Sequence, residues 1–124
     1  MKRIMSRQIM NYERLNEKYL KDAEALLQTE DYVQAGEKIW GAAAEAVKVV
    51  ALKREGKRLM THRSLAKYVE SLDQKYPRLE LLDEFMIFNG FHANFYEDWL
   101  PKGMIETGYK TVKEFVQKLN KLST

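Results

Sequence analysis

Tyr32-Val33-Gln34-Ala35-Gly36-Glu37-Lys38-Ile39-Trp40-Gly41-Ala42-Ala43-Ala44-Glu45-Ala46-Val47-Lys48-Val49-Val50-Ala51-Leu52-Lys53-Arg54 decides the fold. Read at helical spacing, it carries two adjacent apolar stripes. One is Tyr32, Ala35, Ile39, Ala42, Ala46 and Val49; the other is Val33, Gly36, Trp40, Ala43, Val47 and Val50. A helix apolar over so much of its circumference must be covered on two sides. Gly36, Gly41 and the run Ala42-Ala43-Ala44 are small, so the backbone of another helix is expected close by. A glycine in a helix costs about 1 kcal/mol against alanine, and such an approach offsets it. Gln34, Glu37, Lys38, Glu45 and Lys48 hold the remaining face.

Working outward, residues 5–28 repeat Ile9, Tyr12, Leu15, Tyr19, Ala23 and Leu26 at spacings of three and four, which predicts a first helix. Thr29-Glu30-Asp31 breaks it, and Thr29 or Asp31 can cap the helix over 32–54. So short a connection makes the two helices an antiparallel hairpin. Gly56 ends the second helix. Thr61 can cap a third over 62–74, with Leu65, Tyr68, Val69 and Leu72 inward. Tyr76-Pro77 stops that helix, and Pro77 suits the first turn of a fourth, over 77–99. Leu81, Phe85, Phe88, His92, Phe95 and Trp99 share its inner face. After Pro101-Lys102-Gly103, a fifth helix over 104–121 turns Ile105, Val112, Phe115, Val116, Leu119 and Leu122 inward. No segment alternates with period two. The chain of 124 residues reads as one domain: an all-α, five-helix up-and-down bundle. The first hairpin is similar to a tetratricopeptide unit, but a solenoid needs about three repeats and only one is present.

Composition narrows the function classes. With 21 basic and 18 acidic residues, the net charge is +3 and the charges are well mixed, unlike those of a dedicated DNA-binding protein. Lys53-Arg54 and Lys57-Arg58 form the basic cluster of the sequence. Its structural reading is a helix C-terminus whose cations offset the dipole; its functional reading is a phosphate contact. Cysteine is absent, which excludes disulfides and thiolate metal sites and suits a cytoplasmic protein. Abundant lysine and glutamate also suit a thermophile. No apolar run approaches the ~20 residues of a membrane span, and Met1-Lys2-Arg3-Ile4-Met5 lacks the apolar core of a signal peptide.

Phe88-Asn89-Gly90-Phe91-His92-Ala93-Asn94-Phe95-Tyr96-Glu97-Asp98-Trp99 mixes hydrogen-bonding groups with aromatic rings. Asn89, His92 and Tyr96 project from one helical face, with Asn94 and Glu97 on its neighbour. A histidine there can act as general base or acid, while an asparagine and a tyrosine orient it or bind phosphate. The structural reading is a half-buried ring bonded to Tyr96 or to backbone. His62 and Arg63 follow Thr61 at a helix start, where N–H groups favour an anion and Arg63 can clamp a phosphate. The structural reading there is a cap and a solvated first turn. The two histidines lie thirty residues apart with no metal-ligand spacing around them, so neither a metal nor another cofactor is expected. No phosphate loop or nucleophile elbow is present.

Residues 32–48, Thr61-His62-Arg63-Ser64-Leu65 and His92-Ala93-Asn94-Phe95-Tyr96-Glu97, in that order and spacing, resemble the PaREP-type archaeal paralogous family over roughly residues 15–120. Its members are small helical proteins. That family is in turn similar, more distantly, to the HEPN superfamily of helical bundles. The resemblance implies a homodimer, a possible nucleotidyltransferase partner, and either a binding role or metal-independent ribonuclease activity. HEPN ribonucleases carry an arginine, a gap of four to six residues, and a histidine on a late helix. His92 matches the histidine; Ile87, Met86 and Phe85 occupy the arginine positions. The expectation is therefore a binding module for a nucleotide, RNA or a partner protein. Its candidate ligand residues are Asn89, His92, Asn94, Tyr96, Glu97, His62 and Arg63. The alternative is a ribonuclease that uses His92.

Overall fold

The computed structural model describes the backbone of residues 2–123 and the side chains of residues 3–94 and 98–123. Five α-helices run α1 Lys2–Gln28, α2 Tyr32–Glu55, α3 His62–Lys75, α4 Leu81–Glu97 and α5 Lys102–Leu122, with a short 3-10 turn at Pro77–Leu79. Among the described residues there is no strand. Among the described residues no helix is long and apolar enough to cross a membrane.

The hairpin of α1 and α2 forms because Thr29-Glu30-Asp31 cannot continue either helix. Glu30 turns left-handed at φ 61, and the Asp31 carboxylate accepts the Gln34 N–H, capping α2. At the other end Gly56, at φ 64, closes α2 and donates its N–H to Leu52. The basic cluster beside it has structural work. Arg54 donates to the Leu122 carbonyl and the Tyr76 hydroxyl, and Lys53 pairs with Glu13 at 3.2 Å.

Helix α2 is the axis of the bundle, packed by α1 on one side and by α4 and α5 on others. From Ala35 to Leu52 most of it is buried. Both stripes read from the sequence lie mostly in the core, but what meets the glycines is aromatic rings rather than a bare backbone. The Tyr19 ring lies where a side chain on Gly41 would stand, 2.9 Å from an ideal Cβ. Phe91 comes within 3.3 Å of the equivalent point on Gly36, and its ring also fills the place of a side chain on Gly108. Phe91 thus sits in a socket made by one glycine on α2 and another on α5. Glu45, on the polar face of the sequence reading, is buried as well.

The fourth helix departs from expectation at both ends. Pro77 begins a separate 3-10 turn. Glu80 then takes a left-handed conformation at φ 56, and α4 starts afresh at Leu81. The Asp73 carboxylate accepts the Leu82 N–H, so α3 supplies the missing cap. The helix stops at Glu97 because Asp98 turns left-handed at φ 48. Trp99, expected on the inner face, therefore leaves the helix and is 64% exposed. Leu81, Phe85, Phe88 and Phe91 are buried; the Phe95 side chain lies outside the described residues.

The Phe91 socket predicts opposite outcomes for two Gly→Ala changes. Gly108→Ala overfills the core and should destabilise the protein by about 1–3 kcal/mol, partly recovered by Phe91→Leu. Gly90→Ala meets nothing within 4 Å and should stabilise by up to about 1 kcal/mol. Urea denaturation of the variants checks both signs.

Candidate functional site: the Glu37–His92 cluster and its cleft

Close packing at Gly36 and Phe91 brings the next residue on each helix together. The His92 Nδ1 lies 2.9 and 3.0 Å from the two carboxylate oxygens of Glu37. Because a carboxylate in this contact accepts, Nδ1 carries a proton. The imidazole stacks on Trp40, with ring centroids 5.4 Å apart and planes 26° from parallel. His62 approaches it edge-on at 5.0 Å and also touches Trp40 at 5.3 Å. Phe85 closes the far side of the indole. Two histidines thirty residues apart in sequence thus share one aromatic cluster with a carboxylate.

This cluster forms one wall of a cleft of about 570 Å³ between α1, α2 and the start of α3. Glu37, Trp40 and His62 line it, together with Tyr19, Lys38, Glu45, Lys48, Met60 and Thr61. His92 stands behind that wall, in contact with three of its members. On the floor, Lys48 donates to Glu45 at 3.1 Å, while the second Glu45 oxygen is buried without a hydrogen-bond partner. Such an orphaned acceptor carries a desolvation cost that a donor would relieve. At the rim, α3 opens with a capping box: Thr61 accepts from the Ser64 N–H, and the Ser64 hydroxyl accepts from the Thr61 N–H.

The sequence candidates separate on this geometry. His92 and His62 belong to the cluster. Asn94 does not: it is fully buried, and its side-chain oxygen accepts the N–H groups of Trp99 and Leu100. It holds the chain where α4 ends, and its side-chain nitrogen is buried without a hydrogen-bond partner. Asn89 is exposed, although the His92 side of the helix turns inward, and Asn89 is absent from the cleft lining. Arg63 points to solvent beyond the cleft. The Tyr96 and Glu97 side chains lie outside the described residues. Glu37, Trp40, Glu45 and Tyr19 were missed as site residues because each fits a helix face in the sequence. The signal that could have found Glu37 is its place beside Gly36, where a second helix comes close.

The family model of the archaeal PaREP1/PaREP8 family matches residues 11–116, which include both histidines and part or all of each helix. The chain belongs to the archaeal PaREP1/PaREP8 family. No curated protein matches it. A crystal structure of a Sulfolobus solfataricus protein is similar, with a TM-score of 0.75 and 23% identity, over 87% of this chain and 95% of that one. At that identity the likeness speaks for the fold. This PaREP1/PaREP8 chain therefore places its histidines in a bundle whose architecture has an experimental counterpart.

The two asparagines should respond differently to truncation. Asn94→Ala in this PaREP1/PaREP8 protein leaves two backbone N–H groups without their acceptor and should cost about 1–3 kcal/mol. Asn89→Ala should stay within about 0.5 kcal/mol of the parent. Thermal and urea unfolding monitored by circular dichroism distinguish them; equal effects would contradict the capping role.

Proposed function

We propose that this protein is a HEPN-like helical binding module whose cleft receives a small nucleotide-class ligand without cleaving it. The observation that carries the reading is the Glu37–Trp40–His62–His92 cluster. A carboxylate and two imidazoles are held among aromatic rings at a cleft wall, and a bundle core requires none of the three polar groups. The cleft has the volume of a small-molecule site, and its polar groups are of two kinds. Lys38, Lys48, His62 and the start of α3 suit an anionic group such as a phosphate. Glu37 and the orphaned Glu45 oxygen suit donors such as the amino group of a base. Trp40 is already enclosed by Phe85 and the two imidazoles, so Tyr19 and Met60 are the side chains a base would lie against.

The resemblance to HEPN proteins also supports a homodimer and a nucleotidyltransferase partner. The outward side of α4 favours the former: Met86 and Ile87 are exposed, and Gly90 has open space around it. Metal-independent cleavage by His92 is the second reading. It draws support from the carboxylate on Nδ1, which orients an imidazole as in many general-base histidines. Against it, no arginine is among the residues that line the cleft. Losing a positioned charge of that kind typically costs ~100-fold or more in rate.

Calorimetric titration with AMP and ATP should show binding that weakens about tenfold or more in His62→Ala and Glu37→Ala. Single-stranded RNA incubated with the protein and a chelator should remain intact, and light scattering should report a dimer. Saturable binding that ignores both substitutions would refute the cleft. Chelator-resistant cleavage that disappears in His92→Ala would establish the ribonuclease instead, and a monomer at micromolar concentration would remove the homodimer.

A further inference from the structure

Helix α1 carries a second surface that has no part in the cleft. Arg3, Arg7 and Arg14 follow one another at spacings of four and seven, which places them within about 40° of each other around the helix. With Ser6, Met10 and Asn11 they line a groove of about 400 Å³ that contains no acidic side chain. None of the three arginines makes an ion pair or a side-chain hydrogen bond among the described residues, and all are exposed. By contrast, Arg54, Arg58, Lys18, Lys38, Lys48, Lys53 and Lys118 each engage an acid, a hydroxyl, a carbonyl or an aromatic ring.

Arg3 also stands where helix stability disfavours it. The first turn of a helix has a positive dipole end and favours acids, yet α1 has no acid there and carries Arg3 instead. The tip of α2 adds to the same region. Met5 lies against Gly56, and the Arg58 guanidinium reaches the Tyr12 hydroxyl at 3.4 Å. Lys57 and Arg58 therefore lie at the same end of α1, on the side away from the arginine stripe. Residues 2–14 and 53–58 together hold eight basic and two acidic residues, which leaves 13 basic and 16 acidic residues for the rest of the chain. A chain with a small net charge thus concentrates its cations at one end.

We propose that this arginine groove binds the phosphate backbone of single-stranded nucleic acid. Arg3 to Arg14 spans ~16 Å of helix, comparable to the axial rise of about five nucleotides of one strand. Guanidinium groups pair with phosphate oxygens bidentately, and Ser6 and Asn11 supply neutral donors between them. An anionic membrane fits less well, because Met10 is the sole apolar member of the groove and no aromatic ring accompanies the arginines. This binding does not rest on the cleft or on its ligand.

The test is fluorescence anisotropy of a labelled 20-nucleotide single-stranded RNA of mixed sequence with the full chain. Three phosphate contacts to a single strand predict a loss of about tenfold or more in affinity between 50 and 200 mM salt. Arg3→Gln/Arg7→Gln/Arg14→Gln should lower affinity at least tenfold at 50 mM salt and flatten the logarithmic salt slope by about two. Lys102→Gln/Lys110→Gln/Lys113→Gln removes the same charge on α5 and should bind as the parent does. RNA affinity should be the same with and without saturating AMP, which separates this surface from the cleft. Circular dichroism verifies that each variant is helical. Absence of RNA binding, equal losses in the two triple variants, or binding to phosphatidylserine vesicles in place of RNA would overturn the proposal.

Discussion

The contact between Gly36 and Phe91 sets the distance between α2 and α4, and the polar cluster depends on that distance. Phe91 can come so near because α2 offers no side chain at residue 36 and α5 offers none at Gly108. The neighbours of this pair in sequence, Glu37 and His92, then meet at 2.9 Å. A helix pair held further apart would leave a carboxylate and an imidazole facing each other through solvent. Here they form a direct bond beside Trp40, and neither is more than about a quarter exposed. Packing thus positions chemistry: an apolar contact with no polar partner of its own places a hydrogen bond one residue away.

The same small-residue logic shapes the cleft. Tyr19 lies over Gly41, which draws α1 onto α2 next to the cluster. The short α3 then lays His62 over Trp40 from the third side. The result is a depression walled by aromatic rings and floored by Glu45 and Lys48. Its orphaned Glu45 oxygen is the kind of group that cores avoid. The basic end of the molecule, built on α1 and the tip of α2, lies on a different surface. The two features divide the chain into a pocket of mixed charge and an open stripe of cations.

Much of this architecture was legible in the residues. The double stripe on α2 gave its central place, and Asp31, Thr61 and Gly56 marked helix ends through well-understood capping chemistry. Phe91 escaped notice because its socket needs Gly36 and Gly108, seventy-two residues apart, and periodicity within one helix cannot see such a pair. Trp99 was misplaced for a related reason. A periodic reading extends a helix until a breaker appears, whereas α4 ends earlier, where Asn94 captures the N–H groups of Trp99 and Leu100. His92 stood out as polar among aromatics, but its partner did not. Glu37 lies fifty-five residues away and looks like any solvated glutamate on a helix face.

The direct test of the account is the imidazole nitrogen spectrum of His92, recorded by two-bond proton–nitrogen correlation on labelled protein. In the parent, Nδ1 should carry the proton, and the ring protons should show the upfield displacement of a ring stacked on Trp40. In Gly36→Ala, which pushes on Phe91, both signatures should weaken while circular dichroism remains helical. A parent with the proton on Nε2, or a Gly36→Ala spectrum identical to that of the parent, would contradict the claim that the Gly36–Phe91 contact positions the Glu37–His92 bond.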